Sequence, residues 1–420
     1  MKKKIIAILA AALLFVIVGC AAPAAPPADG GNEPAQEEQI VQNKALYGMC
    51  YSLQERTDDP GWDFVEETKL MYNLGVGSVR NWMHFSMLLE SKTKVNAAAC
   101  ERMHAVLAEQ KKYGMTLIGM NHTNFNNGTA LSGKPKRDVS QGSYYISWLN
   151  DYYLSWRTLV AEFPEIEYWE IDNEINNQDF MTDIYGNKVY TLREMAEISA
   201  DMLYYASRAI REINPSAKTV MGGITEPSGL GHGENVEFLE ELYGLIESGE
   251  YGYMYGLEGQ EKASTDPDDY FEVVCWHPYV WVAFDADYFV EANNAIYDVV
   301  KKHEGKDKEV IFTEVGFNNA RCTEEEAAVY IEEMFTVISE RMPYVTMVTY
   351  FKLFDVAKIT WTGRLSRYGL LYDPNDERSY TAETGSDLQS RLTPGAPKKQ
   401  AYAFQKVSGG SGDLTILAEE

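Results

Sequence analysis

Two glutamates stand at the ends of apolar, strand-like runs far apart in the chain. Glu174 closes Ile171-Asp172-Asn173-Glu174, and Glu314 lies in Phe312-Thr313-Glu314-Val315-Gly316. Brought to one cavity, such a carboxyl pair is the minimum equipment for cleaving an acetal. One protonates the leaving oxygen, while the other attacks the electrophilic carbon or activates water. A lone glutamate at a strand end is ordinarily solvated or salt-bridged, so the chemistry depends on an architecture that sets both on one rim. Other reactive types also sit at strand ends: Arg80 in the second run, His122 in the third, and His277-Pro278-Tyr279 in the sixth. No His/Asp/Glu cluster has metal-ligand spacing and no strand is followed by a Gly-rich phosphate loop, so neither a metal nor another cofactor is expected.

The elements around these residues alternate regularly. Strand candidates are residues 45–52, 77–85, 115–123, 166–176, 218–226, 271–280, 308–318 and 345–355. Amphipathic stretches at 62–73, 96–113, 143–163, 192–214, 235–248, 286–304, 323–341 and 397–407 read as helices. Eight β-then-α units imply parallel strands joined by right-handed crossovers. Strand cores such as Val273-Val274-Cys275-Trp276 are apolar without clean alternation, as when both faces are covered. A (β/α)8 TIM barrel over residues 45–407 fits best, with a short tail at 408–420. The chain exceeds the usual ~250 residues of that fold, so several βα loops must be long, among them 123–142, 223–234, 249–269 and 355–397. In such a barrel chemistry gathers at the carboxyl ends of the strands, and strands four and seven lie roughly across the mouth.

Composition narrows the partners. The net charge of −26 repels phosphate backbones and argues against nucleic acid. Five cysteines among 420 residues do not make a disulfide framework. Lys2 to Lys4 followed by the apolar run Ile5–Val18 read as a signal peptide, residues 1–19. Ile17-Val18-Gly19-Cys20 resembles the lipobox of bacterial lipoproteins, which implies a diacylglycerol on Cys20. Residues 20–44, rich in Pro and Ala, then read as a solvated tether. The expected location is extracytoplasmic, with the membrane engaged through the lipid alone.

The motifs Tyr168-Trp169-Glu170-Ile171-Asp172-Asn173-Glu174 and Ile311-Phe312-Thr313-Glu314 resemble the strand-four and strand-seven signatures of clan A retaining glycoside hydrolases, with families 39 and 5 nearest. The resemblance covers roughly residues 45–407 and rests on the ordered set. It implies β-linked glycans or oligosaccharides as substrate, with Glu174 as acid/base and Glu314 as nucleophile. It also implies substrate contacts from Asn173, His122, His277 and Tyr279, and Arg80 beside the nucleophile. Two departures stand out: Asp172 where relatives usually carry Trp, and Tyr350-Phe351-Lys352 where they tend to end strand eight with Trp. The sugar platform must then be a Phe or come from a loop. Trp82 and Trp281, and with less claim Trp276 and Trp361, fall at or beyond strand ends as further platforms. Trp148, Trp156 and Trp169 read as packing. Glu170 and Asp172 share the parity of Glu174, and a strand-end irregularity is expected at Asp172; neither receives a role. The rival from another class is a carbohydrate-binding lipoprotein without catalysis, either an inactive barrel or a two-lobed solute receptor.

Overall fold

Eight parallel strands hydrogen-bond in a closed ring in the computed structural model of the chain. It describes residues 46–52, 63–126, 129–131, 133–226, 233–255, 263–280, 283–355, 367–374 and 394–418. The strands are β1 (Tyr47–Tyr51), β2 (Ser78–Trp82), β3 (Thr116–Asn121), β4 (Tyr168–Asn173), β5 (Lys218–Thr225), β6 (Val274–His277), β7 (Val310–Val315) and β8 (Val345–Tyr350). The ring runs β1-β8-β7-β6-β5-β4-β3-β2, so sequential strands are neighbours and the last closes on the first. This is the (β/α)8 barrel, and a two-lobed receptor is incompatible with it.

The outer helices are α1 (Phe64–Asn73), α2 (Ala97–Lys112), α3 (Tyr144–Glu162), α4 (Leu192–Ile213), α5 (Gly233–Ser248), α6 (Ala286–Glu304), α7 (Glu324–Arg341) and α8 (Lys399–Ser408). Their starts are written in the sequence. Asp63, Asn96, Ser143 and Asp285 accept from first-turn amides, and Thr191/Glu194 and Thr323/Glu326 form reciprocal capping boxes. Trp148, Trp156 and Trp169 are buried in the shell between α3 and the strands. The expected long loop after β3 carries a small hairpin, Asn124–Asn126 with Thr129–Leu131. The end of α8 and the residues beyond it lie against the α1–β2 turn: Ser408 Oγ donates to the Leu74 carbonyl, Asn73 Nδ2 to that of Asp413, and Leu414 is buried.

Ile118, Val220, Val273, Cys275, Ile311 and Met347 form an apolar plug within the ring. The interior also holds a polar layer that includes Cys50, Arg80, Glu170, Thr313 and Thr349, all buried. The two cysteines act there as small fillers: Cys50 faces Thr313 O at 3.2 Å and Cys275 faces Met221 O at 2.9 Å. Burial pushes both thiols up, Cys50 to about 12. The leader, Cys20 and the tether lie outside the described residues. Among the described residues no helix is long and apolar enough to cross a membrane.

Candidate active site

Arg80 organises the mouth of the barrel. Its guanidinium is fully buried on β2 and forks in two directions. Nε and Nη2 donate to the two oxygens of Glu170 at 2.6 and 3.0 Å, Nη1 donates to Glu314 Oε1 at 2.6 Å, and Nη2 also reaches Asn173 Oδ1 at 2.8 Å. A rigid planar donor set of this kind fixes carboxylate planes as well as distances. Glu314, at the end of β7, takes its second hydrogen bond from Tyr279 Oη at 2.7 Å. Burial pushes the Glu314 carboxyl up. The His277 imidazole, Arg80 and the Tyr279 hydroxyl outweigh that and hold it below its ordinary value.

Opposite stands Glu174. One oxygen lies 3.2 Å from His277 Nδ1 and the other accepts from Asn177 Nδ2 at 2.7 Å. One polar atom from each of Glu174, His277 and Glu314 lies within 4.8 Å of those of the other two. Proton accounting around His277 is informative. Thr313 Oγ1 has one hydrogen, and it donates to Glu170 Oε1 at 3.1 Å. When it does so, the same oxygen accepts from His277 Nε2, 3.0 Å away. With Nε2 as donor, a neutral imidazole presents a bare Nδ1, which a protonated Glu174 satisfies; a charged imidazole instead donates to an ionised Glu174.

The strand bends to present these groups. Asp172 and Glu174 have φ of 73° and 46°, left-handed values that cost non-glycine residues and concentrate at functional sites. Simple alternation, which would turn Glu170, Asp172 and Glu174 the same way, fails at the expected place. Glu170 meets Arg80, whereas Asp172 pairs with Lys134 at 2.8 Å, both buried. Burial raises the Asp172 carboxyl, with Lys134 opposing. Gly223 on β5 permits the His277 ring: a Cβ there would stand 2.3 Å from Nε2.

Arg80, Asn173, Glu174, His277, Tyr279 and Glu314 thus form one connected set. His122 and Trp82 stand in a neighbouring cluster, the two rings 6.5 Å apart. Sequence reasoning missed its third member, His84, whose ring meets that of His122 at 4.1 Å. Trp82 Nε1, His84 Nδ1 and His122 Nδ1 are buried without a hydrogen-bond partner. Burial, then Arg80, lowers His84 to about 3; burial, then His84, Lys134 and Arg80, lowers His122 well below its ordinary value. Both imidazoles are neutral at physiological pH.

Phe351, at the end of β8, and Tyr368, from the following loop, supply an aromatic wall. Their rings lie 6.4 and 5.6 Å from Tyr279 and 5.7 Å from each other. Tyr368 was not foreseen, because it belongs to no strand and only the fold brings it in. Trp276 is a correction. It faces outward from β6 and donates to Asn293 of α6 at 2.6 Å, since His277 beside it takes the inward position. Trp281 and Trp361 lie outside the described residues.

Glu174, His277 and Glu314 are near enough to surround a cation, a juxtaposition invisible in sequence because three strands contribute. Their lone pairs are already directed elsewhere. Glu314 accepts from Arg80 and Tyr279, Glu174 contacts Asn177 and His277, and a guanidinium 2.6 Å from one would-be ligand opposes a second positive charge. The donor set fits proton transfer better than metal ligation.

No protein-family profile matches the chain, and no curated protein matches it by sequence. Solved structures do match. A family 39 glycoside hydrolase from the gut symbiont Bacteroides cellulosilyticus WH2 aligns at TM-score 0.57 and 14% identity over 88% of this chain, which spans 65% of that protein's length. A family 1 β-glucosidase from Thermotoga maritima aligns at TM-score 0.56 and 14% identity, over 89% of this chain and 100% of that one. A glucosidase from Croceicoccus marinus gives 0.55 and 13%, covering 90% and 72%. At such identities the likeness is one of architecture: the chain has the (β/α)8 barrel that these glycoside hydrolases share.

Proposed function

We propose that the protein is a retaining glycoside hydrolase acting on β-linked glycans, with Glu314 as nucleophile and Glu174 as acid/base. The observation that carries this reading is the pair itself: two carboxyls from β4 and β7 at one mouth, with polar atoms within 4.8 Å. Retaining catalysis needs carboxyls about 5–5.5 Å apart, whereas inversion needs more room for water. Two anions at such a distance repel by about 3 kcal/mol at an effective dielectric near 20, so only one stays charged. Arg80 and Tyr279 select Glu314. Its carboxylate attacks the anomeric carbon while Glu174 gives its proton to the leaving oxygen. Glu174 then takes a proton from water, which displaces the ester. Trp82, His84 and His122 offer ring nitrogens that sugar hydroxyls would satisfy, recovering the cost of burying them unpaired.

The test is an aryl-glycoside panel on the native chain and on Glu174→Ala. On a substrate with a good leaving group, azide is expected to restore turnover of the variant and give a glycosyl azide of retained configuration. An azide product of inverted configuration, or no effect of the substitution, overturns the acid/base role.

We place the enzyme outside the cytoplasm on a lipid anchor, on the strength of Lys2–Lys4, the apolar run and Cys20. Cys20→Ser is expected to move the protein from the membrane to the soluble fraction; retention at the membrane counts against the anchor.

A further inference from the structure

A cavity of about 710 Å³ lies between the β3–α3 and β4–α4 loops, and neither Glu174 nor Glu314 lines it. Tyr144, Tyr185 and Tyr190 stand around it, with Lys134, Arg137 and Asp183. Its rim is unusually apolar for open surface. Tyr185 is 82% exposed, Tyr144 42%, and Val139 and Val189 are exposed beside them. Large apolar side chains grouped in solvent around one opening mark a binding surface, and the volume suits a small-molecule or oligomer site.

The walls are built, not loose. Lys134 N donates to Thr182 O at 2.9 Å, and the Asp183 carboxylate accepts from the Tyr185 and Asn187 amides at 2.9 and 2.8 Å. Tyr190 Oη donates to Lys134 O at 2.8 Å. Behind them buried Asp201 accepts from Arg137, Tyr145 and Tyr255 at 2.9, 3.0 and 3.1 Å. Burial, then the Asp151 carboxylate and the Tyr185 hydroxyl, push the Tyr144 hydroxyl above its ordinary value.

The ionic groups of the wall are already engaged. Lys134 pairs with Asp172, Arg137 with Asp201, and Asp138 and Asp183 with neighbouring Ser140 and Asn187. Glu194 accepts from Thr191 and has Lys136 near it. Lys134 and Arg137 are neutralised by buried carboxylates and exposed Lys136 shares the lining with Asp138, Asp183 and Glu194, so the wall offers an anion no net attraction, and flat apolar faces and hydroxyl contacts remain as the means of recognition. That combination suits neutral sugar rings, which offer C–H faces to aromatics and hydroxyls at the edge. A chain of contacts leads from the cavity toward the catalytic strands. The Lys134 ammonium, in its wall, touches Asp172 two residues before Glu174 and donates to Phe180 O at 3.1 Å. The Phe180 ring meets His122 edge-on at 5.9 Å.

We propose that this cavity holds a further stretch of the same neutral β-linked glycan whose scissile bond lies between Glu174 and Glu314. The inference rests on the catalytic reading above and adds to it that the substrate is an oligosaccharide or polymer. Two measurements on the full chain test it. In the Glu314→Gln background, which binds without turnover, migration is followed through gels containing a soluble β-glucan, a β-mannan or a β-xylan. At least one polymer is expected to retard the protein, and Tyr185→Ala to abolish the retardation. With native Glu314, Tyr185→Ala is expected to lower kcat/KM about tenfold on the matching β-linked pentaose, the equivalent of one lost stacking contact. Aryl monoglycosides should be turned over unchanged. The proposal is overturned if no polymer retards the chain, if retardation survives the substitution, or if both substrate types decline alike. A native chain that hydrolyses nothing yet shows Tyr185-dependent retardation sinks the catalytic reading and leaves the cavity as a glycan site.

Discussion

Glu314→Gln is expected to lower kcat/KM on aryl glycosides by about 10⁴-fold or more, on the scale seen when a covalent nucleophile is lost, with a cooperative thermal transition retained. The amide keeps an oxygen for Arg80 Nη1, so the packing of the site has no reason to change. What disappears is the electron pair that forms the bond to the anomeric carbon. Azide offers a second reading on Glu314→Ala. Entering where the carboxylate stood, it would attack from that face and give a glycosyl azide of inverted configuration, opposite to the product expected from Glu174→Ala. Near-native turnover in Glu314→Gln, measured on protein free of wild-type contamination, removes the nucleophile assignment.

Arg80→Met carries the largest expected effect on folding. The guanidinium is fully buried against Glu170 and Glu314, and its removal leaves two buried carboxyls without their shared cation. Breaking such a group from one side costs about 3–5 kcal/mol, to be read from denaturant midpoints at pH 7. The pH dependence has a definite sign. Glu314 is held below its ordinary value, so the stability it gains from ionisation is present above the unfolded carboxylate range and is lost as pH falls through the folded value. The deficit of the variant should therefore shrink in acid. By the same logic the acid limb of kcat/KM is expected below the ordinary carboxylate value in the native chain and at higher pH in the folded fraction of Arg80→Met. An unshifted limb shows that Arg80 does not set the ionisation of Glu314.

Most of the scaffold could be read before any coordinates. The stretches 192–214 and 286–304 become Leu192–Ile213 and Ala286–Glu304 because a capping box at Thr191 and a left-handed Gly305 punctuate them locally. Glu174, Glu314, Arg80, His277 and Tyr279 were visible for a related reason: strand ends are local features, and the barrel turns position along a strand into position at the mouth. What escaped was set by contacts across the chain. Tyr368 arrives from a loop after β8, Lys134 from the loop after β3, and His84 from just past β2, where the wider strand run hid it. Trp276 was misplaced because a strand end fixes height and not face; parity with His277 decides that. Lys134 also shows how buried Asp172 is accommodated, since the carboxylate has a buried ammonium to meet.

Glu170 has no evident part in bond cleavage, yet its presence sets the formal charge of the whole cavity floor. Arg80 contributes plus one, and the carboxylates of Glu170 and Glu314 contribute minus two. These three buried groups therefore carry one uncompensated negative charge. A sugar ring passing through its oxocarbenium-like crest would bring a positive charge beside them, and in the ester that follows these three groups are neutral while the negative charge rests on Glu174, which has given its proton to the leaving oxygen. The arginine's second carboxylate keeps it from cancelling the field that the fleeting cation needs.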